Sequence, residues 1–327
     1  MIVSRIWKDN KLILGPMAGI TDHAFRQICR EEGCGLVYSE MINARGLLEL
    51  SEDELKDIGY FLSKDKPISV QVFGSDPDVI SKAGKIAQDY FKADIVDFNM
   101  GCPARKILKN KEGGWLMRDP SLAFNITESL VKNLQVPVTI KIRKGWEDCL
   151  TALEISKKAE EVGVQAIAVH GRLVEQGFSG EADWDIIKQI GEEVEIPVLG
   201  NGDVFTPELS QKMLDYCNCS AVMIARGAMG NPWIFSRAQS LIEKGIKVPS
   251  PTLEERMEKA LRHLDLLIEH KGENRGIKEM RKHAHWYVKA IKGAVAIRSK
   301  INKASSREEF VSLFDEILSR QSINIEG

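Results

Sequence analysis

Apolar positions along the chain follow two alternating patterns. Short, nearly continuous runs recur eight times: LILGPMA from Leu12, CGLVYSEM from Cys34, PISVQVF from Pro67, IVDFNMG from Ile95, PVTIKIR from Pro137, AIAVHGR from Ala166, PVLGNGD from Pro197 and AVMIARG from Ala221. Between them lie longer stretches with helical spacing, such as SLAFNITESLVKNL and CLTALEISKKAEEVG, and glycines mark several helix ends. Strands this rich in Val, Ile and Leu, alternating with helices, predict a parallel sheet covered by helices. Eight such units predict an α/β fold of the closed (β/α)8 TIM-barrel type. An open doubly wound sheet is disfavoured further because no GxGxxG follows the first strand.

After Ile234 the pattern changes. KGIKVPSPT reads as a linker, and the remainder is helical, with capping-box pairs at Thr252/Glu255 and Ser306/Glu309. The expected organisation is a barrel over residues 1–245 and a small helical-bundle domain over 252–327.

Composition changes this picture little. The 327 residues are 43% hydrophobic and 28% charged, enough for a sizeable core, and the formal net charge of -2 does not advertise a polyanionic partner. MIVSRIWKDNKLIL reads as neither a signal nor a transit peptide, and no apolar run is long enough to span a membrane. A cytoplasmic monomer is expected. The six cysteines (29, 34, 102, 149, 217 and 219) form no framework and read as free thiols. Cys217 and Cys219 lack a matching Cys or His cluster and read as structural, so no metal is expected.

The strand ends are where the chemistry concentrates. Pro16–Met17–Ala18 closes the first run, Ser39–Glu40–Met41 the second, and Gln71 lies in the third. Asn99 and Cys102 follow on the fourth, Lys141 and Arg143 on the fifth, and His170 and Arg172 on the sixth. Asn201–Gly202–Asp203 and Ala225–Arg226–Gly227 end the last two. Each alone has a structural explanation, but packing does not explain their coincidence at the face where barrels carry their sites. A lysine pointing into a barrel is costly to bury without an anionic or electron-rich partner. The glycine-containing loops GNGD and ARGAMGNP match the usual barrel phosphate site. Together these point to a phosphate-bearing cofactor, and FMN fits because a cation near its ring stabilises the reduced anion.

Seven motifs then become recognisable: GPMAGITD, QVFGSDP, DFNMGCP, IKIRKGW, VHGR, GNGDV and ARGAMGNPWIF, with MRKHAHWY in the tail. In this order the chain resembles the tRNA-dihydrouridine synthase family, departing mildly at Ala225, where glycine is often expected. The resemblance implies an FMN enzyme that reduces the C5–C6 bond of particular uridines in tRNA with NADPH. Hydride would go to C6, and the Cys102 thiol would protonate C5. It also implies that Pro16, Met17, Ala18, Gln71 and Lys141 hold the isoalloxazine. His170, Asn201, Gly202, Asp203, Ala225 and Arg226 would surround the ribityl chain and phosphate. Asn99, Lys141 and Arg143 would orient the uracil, with Arg172 nearby. A thiol of ordinary pKa is mostly protonated at neutral pH and can act as a general acid, although Arg105 and Lys106 could lower it. Gly113–Gly114 is expected to hinge the Cys102 loop.

From Arg275 to Arg307 the tail carries ten Lys/Arg against one acid, Glu279. Such a strip suits a phosphate backbone, with Lys278, Arg281, Lys282, Lys289 and Lys292 as the expected tRNA contacts. Trp286 and Tyr287 are expected in the bundle core. A uridine in folded RNA must leave its stack to enter a barrel. The rival readings are an FMN barrel acting on a free pyrimidine in the manner of dihydroorotate dehydrogenases, action on ribosomal RNA, a non-redox RNA-binding barrel, and a sugar-phosphate barrel.

Overall fold

The computed structural model describes residues 3–147, 151–291 and 293–322; Cys149 and Lys292 lie outside them. Eight parallel strands close a barrel: β1 (Leu12–Leu14), β2 (Leu36–Tyr38), β3 (Ile68–Phe73), β4 (Ile95–Met100), β5 (Val138–Arg143), β6 (Ala166–His170), β7 (Val198–Asn201) and β8 (Ala221–Ile224). β8 pairs with β1, and β2 pairs with β3 through Val37–Ile68 and Tyr38–Ser69, which closes the sheet. The sequence pattern missed one element. Ile42–Asn43 adds a two-residue strand against Val72 and Phe73, and Asn43 then caps the following helix through the Gly46 amide.

The period of two along each strand sorts its residues. Val96, Phe98, Met100, Ile140 and Ile142 face the helices and join the main core. Ile13, Tyr38, Ile95, Ala168, Leu199 and Met223 belong to a separate interior cluster, together with Val3 and Trp7 of the N-terminal segment. Further inward positions are polar and lie side by side across the sheet. Gln71 is opposite Asp97 and Asp97 opposite Thr139; Asn99 is opposite Lys141; Arg143, His170 and Asn201 form the next row.

Thr252 and Glu255 form a reciprocal capping box at the start of the helix Leu253–Lys271. The second expected box is only half made: Ser306 Oγ accepts from the Glu309 amide at 3.2 Å, but the Glu309 carboxylate bonds Ser305 instead. The helices Glu273–Tyr287, Ala294–Ile301 and Arg307–Ser322 complete a bundle around Leu264, Met280, Tyr287, Phe310 and Phe314. Ala24 and Ile28 of the barrel helix His23–Glu31 belong to this same core. Lys259–Glu32, Arg262–Glu31 and Lys271–Asp22 pairs at 2.7–2.9 Å border the contact. Tyr287 is fully buried as expected, but Trp286 is only half-buried and turns toward the barrel. Among the described residues, no helix is long and apolar enough to cross a membrane.

Candidate active site

A cavity of about 490 Å³ opens at the C-terminal ends of the strands. It brings together Pro16, Met17, Ala18, Asn99, Cys102, Lys141, Arg143, His170, Asn201, Gly202, Asp203, Ala225 and Arg226, from six strand ends. Gln71 and Arg172, expected with them, do not line it. Residues the sequence reading did not assign complete the wall, notably Met41, Phe178, Phe205, Met229 and Trp286. Phe178 had a legible signal, an aromatic in the polar loop EQGFSGE. It is 57% exposed, with the Arg226 and Arg143 guanidinium carbons 4.7 and 5.5 Å from its ring centre.

A relay of amides explains where Gln71 goes. Asp97 is fully buried, and its carboxylate accepts from Thr139 Oγ1 at 2.6 Å and Gln71 Nε2 at 2.7 Å. A carboxylate accepts only, so the Gln71 amide must turn its NH2 downward and its oxygen toward Asn99 Nδ2, at 2.7 Å. Asn99 in turn presents Oδ1 to the backbone amides of Gly101 and Cys102, at 3.1 and 3.0 Å. Asp97, which sequence reasoning left unassigned, thus sets the orientation of every amide leading to Cys102. Burial raises its carboxyl to about 6, against the Thr139 and Gln71 bonds and Lys141.

Cys102 is held from other sides too. Arg143 Nε bonds the Gly101 carbonyl at 2.8 Å, while its Nη1 bonds the carbonyls of Leu173 and Gly177. The Gly113–Gly114 pair is no hinge. Both glycines are buried, and the Gly114 amide bonds the Cys102 carbonyl at 3.0 Å. A Cβ on Gly114 would lie 2.8 Å from that carbonyl oxygen and from Val174, so glycine here permits close packing beneath the loop. Burial raises the Cys102 thiol, outweighing the Ala104 amide and the charges of Arg143 and Lys141. Those two cations face it; Arg105 and Lys106 are exposed. The thiol therefore keeps its proton at neutral pH.

Positive charge in the cavity is mostly without a counter-ion. Lys141 Nζ donates to Asn201 Oδ1 at 3.1 Å, and Asn201 is fixed by donating to the Met223 carbonyl at 2.7 Å. Burial, reinforced by Arg143, pushes the Lys141 ammonium down to about 8. Burial and the four surrounding cations hold His170 well below its usual range, so its ring is neutral. Arg172 is 2% exposed and forms a two-pronged pair with Asp203 at 2.7 and 2.8 Å, while bonding the carbonyls of Ser179 and Gly180. It orders the loop that carries Phe178. Arg226 reaches the same carboxylate at 3.2 Å. The amides of Gly202 and Asp203, which lie outside the strands and helices, make no backbone hydrogen bond among the described residues. A Cβ on Gly227 would lie 2.1 Å from the Val204 carbonyl oxygen, which makes glycine obligatory there.

The tail contributes less free charge than its sequence implied. Arg281 donates twice to the Ala304 carbonyl, at 2.8 and 3.1 Å, and so ties the bundle together. Lys282 is 3.7 Å from Glu279 and lies beside Gly19, in the loop that forms one cavity wall. Lys278 and Lys289 are exposed, Lys289 lying 5.6 Å from the centre of the Trp286 ring. The Trp286 backbone packs against Gly230, bringing that ring to the cavity mouth.

The closed parallel barrel is a fold shared with solved structures. An old yellow enzyme homologue from Zymomonas mobilis superposes with a TM-score of 0.53 at 14% identity, over 76% of this chain and 92% of that one. The sequence comparison is more specific. The family described as dihydrouridine synthase (Dus) matches residues 13–323, and the chain belongs to that family. It is 39% identical to the tRNA-dihydrouridine synthase B of Pasteurella multocida, covering 97% of this chain and 96% of that one. It is 35% identical to a probable tRNA-dihydrouridine synthase of Rickettsia bellii, over 98% and 99%.

Proposed function

We propose that the chain reduces the C5–C6 double bond of uridines in tRNA, using FMN and NADPH, with Cys102 as the proton donor. The observation that carries this reading is the Cys102 thiol sharing one cavity with Lys141 and Arg143, cations bonded only to amide and carbonyl oxygens, and with the loops of Gly202 and Gly227.

The residues fit FMN. A volume of about 490 Å³ lies within the range of cofactor pockets. The amides of Gly202 and Asp203, with Arg226 beside them, suit a phosphate. Lys141 in the barrel centre suits a ring that takes up negative charge. Pro16, Met17, Ala18 and Lys141 would hold that ring, and His170, Asn201, Ala225 and Arg226 the chain and phosphate. Gln71 would act from beneath, by fixing Asn99. When bound, FMN supplies the hydride for uracil C6, and NADPH replenishes it.

The chain's own groups then manage charge and protons. Hydride arriving at C6 builds enolate charge toward the C4 oxygen, which Lys141 and Arg143 stabilise. The Cys102 proton moves to C5, leaving a thiolate that the same two cations face and that solvent reprotonates. Net, the uracil gains one hydride and one proton. Trp286 and Phe178 at the mouth offer flat apolar surfaces to a base that has left its stack. The exposed Lys278 and Lys289 and the half-buried Lys282 would meet phosphates.

The test is direct. The purified chain is incubated with NADPH and unmodified tRNA, with ribosomal RNA or with free uridine, and dihydrouridine is measured by mass spectrometry. Product in tRNA alone is expected. Equal turnover of free uridine would instead favour the free-pyrimidine reading.

A further inference from the structure

Outside the barrel cavity, the contact between barrel and tail encloses a second polar cluster. Asp22 caps the helix His23–Glu31, its Oδ1 accepting from the Phe25 amide at 3.0 Å. His263 and His283 face it from the helices Leu253–Lys271 and Glu273–Tyr287. One carboxylate oxygen and one nitrogen from each ring lie within 4.8 Å of one another. The three residues are 5%, 0% and 3% exposed. Nε2 of both histidines is buried with no hydrogen-bond partner among the described residues. His263 Nδ1 already faces the Tyr287 hydroxyl at 3.4 Å, so Nε2 is the nitrogen left over. Buried polar atoms are seldom left unpartnered, and two beside one carboxylate call for a shared occupant.

We propose that Asp22, His263 and His283 bind a divalent transition-metal ion, zinc by donor preference, which staples the tail to the barrel. Two imidazoles and a carboxylate are a zinc-type donor set, with a water completing four ligands. The donors are already gathered within 4.8 Å of one another, and zinc bonds of about 2.0–2.1 Å would draw them closer. Two ammonium groups stand near the cluster, and their partners limit how far they oppose a bound cation. Lys271 bonds Asp22 Oδ2 at 2.7 Å but also bonds Glu279 at 2.5 Å, and Lys282 leans on the same Glu279 at 3.7 Å. Glu279 offsets this charge, and Lys271 orients the ligand carboxylate from outside. The aromatic Phe25, stacked 5.7 Å from each imidazole, keeps the rings in place. The competing occupant is a buried water bridging the three side chains.

The experiment uses the full chain without a polyhistidine tag, stripped with EDTA and titrated with Co2+. One equivalent is expected to bind, giving the visible bands of tetrahedral cobalt and bleaching when Zn2+ displaces it. Zinc should also raise the melting temperature of the stripped chain by mass action. His263→Gln combined with His283→Gln should abolish uptake. Because that pair sits in the bundle core, Asp22→Asn provides the second arm: asparagine keeps the helix cap, and cobalt affinity should fall at least tenfold. No uptake by the native chain, or unchanged uptake by Asp22→Asn, overturns the proposal and leaves water in the pocket.

Discussion

Lys141 and Arg143 at the barrel mouth and Arg275, Lys300 and Arg307 in the tail all belong to clusters of positive charge, yet they have different partners. In the tail each meets a carboxylate: Arg275–Glu279 at 3.0 Å, Lys300–Glu316 at 2.7 Å, Arg307–Asp265 at 2.6 Å. In the cavity Lys141 is bonded to an amide and Arg143 to three carbonyls. Exposed pairs contribute about 0–1 kcal/mol and are tolerant of change. A buried cation without a counter-ion opposes folding, and its presence is explained when a ligand supplies the missing charge. Counting Lys and Arg along a sequence measures neither situation. The partner of each charge decides whether it recognises a ligand or closes a local pair.

The largest effect that would break this comparison lies at Cys102. Cys102→Ala removes the proposed proton donor but none of the cavity's charge. Turnover on tRNA should fall by about 10²–10⁴-fold, while FMN and tRNA affinities, measured by absorbance and filter binding, stay close to the native values. Native turnover in the variant would remove the thiol from the reaction.

Lys141 comes next. Lys141→Met should weaken FMN binding by about ten- to a hundredfold, the range of one charge-assisted hydrogen bond. With the native ammonium pushed down to about 8, FMN affinity of the apo chain should decline as pH rises through that value. The stability effect has the opposite sign. Below about pH 8 the cost of burying the charge is fully present; above it the unfolded chain holds more protons, so stability rises with pH. A pH-independent FMN affinity across pH 7–9 would show that Lys141 does not face the cofactor.

In the tail the expected effects are smaller. Lys282→Glu with Lys289→Glu should weaken tRNA binding severalfold and reduce the salt slope by about one per lost phosphate contact. An unaltered slope would mean that the strip is only solvated.

The barrel was legible because its signal is local. Eight runs of Val, Ile and Leu announce buried strands, and the site lay where those runs end in Lys141, His170 and Asn201. Partnership across the sheet was not legible. Gln71 and Arg172 carry suitable chemistry at suitable positions, but Asp97 and Asp203, on neighbouring strands or loops, engage them. Trp286 escaped for a related reason: helical spacing gave a core position, and the close approach at Gly230 turned its ring to the barrel. The Asp22, His263 and His283 cluster is assembled only by docking of tail on barrel, so no spacing in the sequence could announce it.

The smallest effects discriminate within the tail itself. Arg281 and Lys278 are both cationic residues of the helix Glu273–Tyr287, and their sequence context implies the same role. Arg281 grips the Ala304 carbonyl with two bonds, whereas Lys278 is exposed. Arg281→Ala should therefore lower stability by about 1–2 kcal/mol, a shift of a few degrees in melting temperature, through loss of its hold on the chain after Ala294–Ile301. Lys278→Ala should leave melting unchanged and lower the salt slope of tRNA binding by about one. The two measurements separate a charge that holds the bundle from a charge that holds RNA. If Lys278→Ala melts early and Arg281→Ala does not, the assignment of partners in the tail is wrong.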